Sequence, residues 1–417
     1  MRAKKLESIY VYLLILPALL RLILIESIEA GITVDFFGYS LFLPELTYLF
    51  LPLCAQIRKV SGKFIKPNYP LILLALFGLL IDFLGTLNSG SNKYLINFLA
   101  GSDFYLSIFV FGLFPIKKEH FKILFYPVAV SWVIICLEVF LFSFGILKYS
   151  GDIGSQDYGG IVRISTSVGA ATGTAVAVLL LGVVSYFTCP IKYNKIKSFI
   201  LYITLATTCA TLSRGAILFG LCWFLLYLRD ILKKSSAKEF VNNIIKVALI
   251  IVLVFTVGSS IGLIDSVMAR IDNMENANDV TSGRDERWEK AYSLIQENAI
   301  IGNGPNYYTL LKRGRLMDVD TLDLFSPHNS YILVLMQTGI LGFLIFLFVM
   351  FKLIANVKIK VENSASFLFL LFIIVSFNTE IVFFFMEFTV PFLVIWYIAN
   401  AEFNEFKREK NSVFHIS

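Results

Sequence analysis

Residues 326–351 read SPHNSYILVLMQTGILGFLIFLFVMF. The window 329–351 contains no Asp, Glu, Lys or Arg. At about 1.5 Å per residue such a run is long enough for a hydrocarbon core of about 30 Å. It reads as a transmembrane helix, and comparable apolar windows recur along the chain. They fall near 8–25, 36–57, 69–87, 94–114, 123–147, 167–187, 198–213, 215–231, 246–264, 365–378 and 381–399. The expected fold is therefore all-α: a polytopic membrane protein with about 12 transmembrane helices.

Composition agrees with that reading. Of 417 residues, 57% are hydrophobic and 16% charged, against about 25% charged in soluble chains. Mean hydropathy is +0.75. A soluble enzyme, a nucleic-acid-binding module and a disulfide scaffold are excluded. Cys54, Cys136, Cys189, Cys209 and Cys222 lie in or beside apolar runs without metal-ligand spacing, so they read as small hydrophobes. Arg2, Lys4 and Lys5 before an apolar run resemble a signal peptide. The run is long and lacks a clear cleavage site, so it reads as a retained first helix.

Charge orients the chain. One set of alternate loops holds 24 Lys and Arg, the opposite short loops 4. That asymmetry places both termini in the cytoplasm and residues 265–327 outside, as one long external, periplasmic loop. The chain then divides into helices 1–9 (1–264), the external loop (265–327), and helices 10–12 with a cytoplasmic tail (328–417). The net charge of +6 is explained by this topology and is no nucleic-acid signal.

Chemistry is expected in the external loop and at the helix ends facing it. Ser282-Gly283-Arg284-Asp285 fits a capping box, and Trp288, Ala291, Tyr292 and Ile295 then recur on one face. Arg284 and Arg287, three residues apart, project to the same side beside a helix N-terminus, an arrangement suited to an anion. Neutralisation by Asp285, Glu286 and Glu289 on a solvated face is the competing reading. Gly302-Asn303-Gly304-Pro305 permits a tight turn before a new helix, with Gly302, Gly304 and Pro305 shaping the loop. It lacks the Lys-Ser/Thr of a P-loop. Asp318 and Asp320 read as solvated acids rather than a metal site.

His328 is the one histidine in the external set; His120 and His415 fall in cytoplasmic segments. With Ser326 as cap and Pro327 as first residue, His328 would occupy the first turn of a spanning helix. There the dipole disfavours imidazolium, and a neutral histidine is a usable general base. A histidine that merely ends a helix is the plain alternative. Ser213-Arg214-Gly215 separates two windows with almost no loop. The preceding helix is about 16 residues, or roughly 24 Å, which sets Arg214 in a recess below the surface. A structural pair with Asp103, Glu138, Glu380 or Glu387 is the competing account. Arg163, before the small-residue run Ser167–Gly173, is a further external cation. Several arginines and one histidine suit a polyanion that must be held and a hydroxyl that must lose a proton.

These residues resemble the O-antigen polymerase and O-antigen ligase superfamily of bacterial membrane proteins. The similarity rests on Leu212-Ser213-Arg214-Gly215, on Ser282-Gly283-Arg284 followed by Trp288, and on Gly302-Asn303-Gly304-Pro305. It continues through Pro327-His328-Asn329-Ser330 to Gly339-Ile340-Leu341-Gly342, and covers about residues 160–345. The resemblance implies a glycosyltransferase of the inner (cytoplasmic) membrane, using undecaprenyl-pyrophosphate-linked oligosaccharide. Arg214 and Arg284, with Arg287 and Arg163 matching less closely, would hold the pyrophosphate. His328, followed by Asn329, would activate the acceptor hydroxyl. It implies no nucleotide sugar, metal or other cofactor, no nucleic acid, and a separate co-polymerase that sets chain length. The short stretch from Gly304 to His328 favours polymerase over ligase. A lipid-linked-oligosaccharide flippase would have short loops and two related halves, neither of which is visible. A metal-dependent glycosyltransferase using Glu26, Glu29 and Asp35 is a third reading.

The topology is checked by fusions. A green fluorescent protein after Ser417 should fluoresce, and alkaline phosphatase inserted at Asn278 should be active; the reverse pattern would invert the map.

Overall fold

The computed structural model describes residues 2–24, 33–36, 39–42, 50–52, 67–88, 103–147, 154–157, 162–168, 171–234, 284–304, 327–357, 364–376 and 388–401. In chain order these give α1 (Arg2–Ile23), β1 (Thr33–Phe36), β2 (Tyr39–Phe42), α2 (Tyr69–Asn88), α3 (Asp103–Leu113) and α4 (Lys118–Ser143). There follow β3 (Gly154–Asp157), β4 (Val162–Ser165), α5 (Ala171–Thr188), α6 (Asn194–Ala210) and α7 (Arg214–Lys234). The last elements are α8 (Arg284–Glu297), α9 (Ser330–Val357), α10 (Ser364–Leu371) and α11 (Phe388–Ala401). The protein is helical, and Lys118–Ser143, Ala171–Thr188 and Ser330–Ala355 are long and apolar enough to cross a membrane.

All but two of the expected windows contain one of these helices. Window 246–264 lies outside the described residues. In window 36–57, residues 39–42 pair antiparallel with 33–36, Thr33 opposite Phe42. The span expected there does not begin at 36, because Thr, Val and Phe at those positions suit a strand. A second hairpin, β3–β4, pairs Gln156 with Arg163. The fold is thus helical with two small hairpins rather than all-α throughout.

The chain divides into two compact units, Met1–Pro127 with Thr281–Ser417, and Val128–Val280. In the first, α2 packs on α3 and α9. Close approach is possible because Gly78 lies against the buried ring of Tyr105, and Gly112 against Ile72. Aromatic hydroxyls and indoles then join helices through backbone carbonyls. Tyr397 donates to Phe111 O (2.8 Å) and Trp396 Nε1 to Leu353 O (3.1 Å). Tyr10 donates to Pro115 O at 3.3 Å. In a span such polar tips need internal partners, and a carbonyl's second lone pair supplies one.

In the second unit α5 is buried around most of its circumference, with α6 and α7 packed beside it. Trp132 donates to Thr204 Oγ1 (3.1 Å), joining α4 to α6. The hydroxyls of Thr204, Thr207 and Thr208 donate to the carbonyls four residues earlier, so α6 buries threonines without orphaned donors. Exposed Tyr126, Val130, Val133 and Leu137 repeat every three or four residues on α4 and mark its lipid-facing stripe.

Gly78→Ala places a methyl group in the Tyr105 ring. It should lower stability in detergent by about 1–3 kcal/mol. Adding Tyr105→Leu should recover part of the loss in thermal unfolding.

Candidate functional site

Helix α8 begins at Arg284 and packs against α9. Ala291 and Ile295 are buried and Trp288 is partly buried. Tyr292, expected on the same apolar face, is instead exposed. At 3.6 residues per turn it lies about 100° from Ala291, beyond the edge of the packed stripe. Arg287 is exposed next to Trp288. Arg284 opens the helix; its side chain, Ser282, Pro305, Asp318, Asp320 and Ser326 lie outside the described residues.

Helix α9 does not run unbroken. Gly339 has φ 62° and ψ −169°, a conformation essentially restricted to glycine. The break removes the helical bonds that would join Met336 O to Ile340 N and Gln337 O to Leu341 N. The turn after α8 supplies replacements for all four groups. Asn303 N donates to Met336 O (3.0 Å) and Gly304 N to Gln337 O (2.9 Å). Ile340 N donates to Ala299 O (2.8 Å) and Leu341 N to Ile300 O (3.2 Å). Gly302 (φ 85°) and Gly304 (φ 76°) shape this segment. A Cβ on Gly302 would meet Gln337 O, and one on Gly339 would meet Ile300 O. Both glycines are required by backbone contact as well as by positive φ. Asn303 Nδ2 also reaches Leu294 O (2.8 Å), tying the end of α8 into the clasp.

The other ends of the two helices are tied too. Trp288 Nε1 donates to Pro327 O at 3.0 Å. The helical bonds of α9 begin with Leu333 N donating to Asn329 O at 3.1 Å. Tyr331 N turns to Asn329 Oδ1 (2.9 Å), which also accepts from Ile332 N (3.1 Å). Asn329 is the N-cap, correcting the expectation that Ser326 caps and Pro327 starts the helix. His328 precedes the helix in the left-handed region, φ 44°, partly buried. Tyr331 donates to Ile373 O (2.9 Å) in the π-helical segment Phe372–Ser376, where widened turns commonly accompany function.

Trp288 meets Pro327 and Asn303 meets Met336, so α8 and the first half of α9 run in the same direction. Their N-termini adjoin. This brings Arg284, Arg287 and His328 to one end of the pair, although about forty residues of sequence separate them. Parallel helix dipoles present positive potential there, to which the arginines add. The site can hold an anion beside an imidazole.

The other two candidate arginines belong to the second unit. Helix α6 ends in a tight turn at Leu212 (φ 53°), and Ser213 O accepts from Ile217 N to start α7. Ser213 is buried and Arg214 is exposed. The turn itself is the cause: it packs Leu212 and Ser213 inward and directs the next residue out. Arg163 occupies β4 beside Ile164, which packs with Val139, Phe142 and Ala210. Arg163 and Arg214 therefore stand at one end of that unit. Glu138, a candidate partner for Arg214, accepts instead from Ser167 N (3.0 Å) and Ser167 Oγ (2.9 Å) and anchors the segment after β4.

Sequence reasoning names Trp288, Asn303 and Glu138 but does not foresee the contacts they make. Gly339 carries a legible signal, a glycine directly after Gln337 and Thr338 within a mainly apolar run. The tryptophan and asparagine contacts join distant segments and leave no local pattern.

Residues 198–347 match the family model described as O-Antigen ligase. This supports the O-antigen polymerase and ligase superfamily for this chain. The matched segment contains Arg214, Arg284, Arg287, the 302–304 turn, His328 and the α9 break, and excludes Arg163. Comparison with curated proteins finds no match. Together with the apolar helices, the family match supports a membrane enzyme of the O-antigen ligase or polymerase type.

Two substitutions test the geometry. Gly302→Ala should destabilise the clasp by about 1–3 kcal/mol, seen as faster proteolysis after Glu297. Trp288→Phe removes one hydrogen bond, about 0.5–1.5 kcal/mol. It should lower turnover while leaving expression and folding intact.

Proposed function

We propose that this protein is a surface-polysaccharide (O-antigen) polymerase. It transfers glycan from an undecaprenyl pyrophosphate carrier to the hydroxyl of another lipid-linked repeat unit. The observation that carries the reading is the convergence of Arg284, Arg287 and His328 at the paired N-termini of α8 and α9. These residues lie inside the segment that matches the family model.

Guanidinium groups offer planar, bidentate hydrogen bonds to phosphate oxygens. Arg284 and Arg287 hold the pyrophosphate and stabilise the charge that grows as it leaves. The family resemblance gives Arg214, and less closely Arg163, the same role. His328 accepts the acceptor hydroxyl's proton. The freed oxygen attacks the anomeric carbon, the bond from that carbon to the pyrophosphate oxygen breaks, and undecaprenyl pyrophosphate departs. A single displacement inverts the anomeric centre. In this reading residues 265–327 form the catalytic loop, on the outer face of the inner membrane, and both termini are cytoplasmic. Chain length is set by a separate co-polymerase.

The family model is described as O-Antigen ligase, which favours a second acceptor, lipid A-core. Reconstitution separates the two. Purified protein given lipid-linked repeat units alone should produce a ladder of longer glycans. His328→Ala should reduce it by about 10²–10⁴-fold without loss of folding. A product formed only when lipid A-core is added means ligase. No product with either acceptor overturns the glycosyltransferase reading and favours a flippase.

A further inference from the structure

The clasp also has an outward side. Among the described residues of α9, the exposed large apolar side chains begin immediately after the break, at Ile340 and Leu341, and continue through Leu344, Leu347, Phe348 and Phe351. Their spacing is that of one helical face, turned to lipid. The half before the break shows no such residue among those described: Leu333, Val334, Met336, Gln337 and Thr338 are buried. The portion from Ile340 to Val357 is about 27 Å long, close to the thickness of a hydrocarbon core. A hydrocarbon core fitted to this lipid-facing portion would end at Gly339, while the apolar run itself begins at Ser330.

Ile300 is 65% exposed. Alone on a surface, one exposed isoleucine needs no explanation. Here its carbonyl accepts from Leu341 N, and Ala299 O accepts from Ile340 N, so the backbone fixes Ile300 beside the first two residues of the lipid-facing stripe. The neighbouring exposed positions on α8 are Glu289, Lys290, Tyr292, Ser293, Gln296 and Glu297, all polar except the amphipathic Tyr292. The apolar side chain thus falls where the stripe begins and the polar ones lie on the helix leading to it.

We propose that the turn 298–302 is a membrane foot: Ile300 inserts into the acyl-chain region at the bilayer surface, continuous with the stripe of α9, while α8 stays in the aqueous and headgroup layer. The occupant of this face is lipid. The inference rests on the clasp and the exposed residues alone and is independent of the proposed reaction.

The test uses the full, unmodified chain in vesicles of phosphatidylethanolamine and phosphatidylglycerol. These contain a phospholipid with a diazirine near the headgroup end of one acyl chain. After irradiation, adducts are mapped by mass spectrometry. Adducts are expected on Ile300 together with Ile340 or Leu341, and at least about tenfold fewer on residues 289–297. Labelling of the α9 stripe without Ile300 overturns the foot. So does equal labelling along α8, which would put the whole helix in lipid, and so does an unlabelled α9.

Discussion

The structure around the candidate site depends on one constraint: a helix broken in an apolar setting must find new partners for the backbone groups it exposes. At Gly339 four such groups lose their helical partners, and the 299–304 segment supplies all four replacements. An unpaired buried amide or carbonyl costs about 1–3 kcal/mol, and more in hydrocarbon. The break and the turn are therefore mutually dependent. Gly302 and Gly339 allow the two backbones to touch, which any side chain at either position would prevent.

The mutual dependence of break and turn also fixes the helix between them and the site. With the far end of α8 held by the clasp and its near end held by Trp288, α8 has little freedom relative to the start of α9. Bringing two helix N-termini together carries an electrostatic cost, which Asp285, Glu286 and Glu289 at the start of α8 are of the sign to offset. Asn329 relieves part of the cost by accepting from two amides of α9. His328 sits just outside the helix, held between the Pro327 carbonyl bound by Trp288 and the Asn329 cap, in a backbone conformation that costs a non-glycine residue about 1–2 kcal/mol. Strain of that kind persists only where its surroundings enforce it.

The second unit solves a different problem with similar means. Its threonine-rich helix satisfies hydroxyls against its own carbonyls, and Glu138 is anchored by the backbone and side chain of Ser167. The carboxylate considered as a salt-bridge partner thus holds a hairpin end, and the hairpin positions Arg163.

Composition and charge asymmetry were enough to establish a polytopic helical membrane protein, because hydrophobic length and loop charge are local properties of the chain. The glycine turn at Gly302 and Gly304 was legible for the same reason: turn chemistry acts over a few residues. Four things were not legible. The hairpin at 33–42 lies in an apolar window whose residues suit either strand or helix, and only pairing decides between them. The cap falls at Asn329 rather than Ser326 because the Asn329 side chain accepts from two amides of α9, a choice among several capping residues in a row. Arg214 turned outward because its turn packs Leu212 and Ser213 inside. The parallel alignment of α8 with α9 arises from hydrogen bonds between backbones remote in sequence. Sequence by itself determined which groups could do chemistry; tertiary structure decided which of them meet, since backbone partners at a break are chosen by proximity in space.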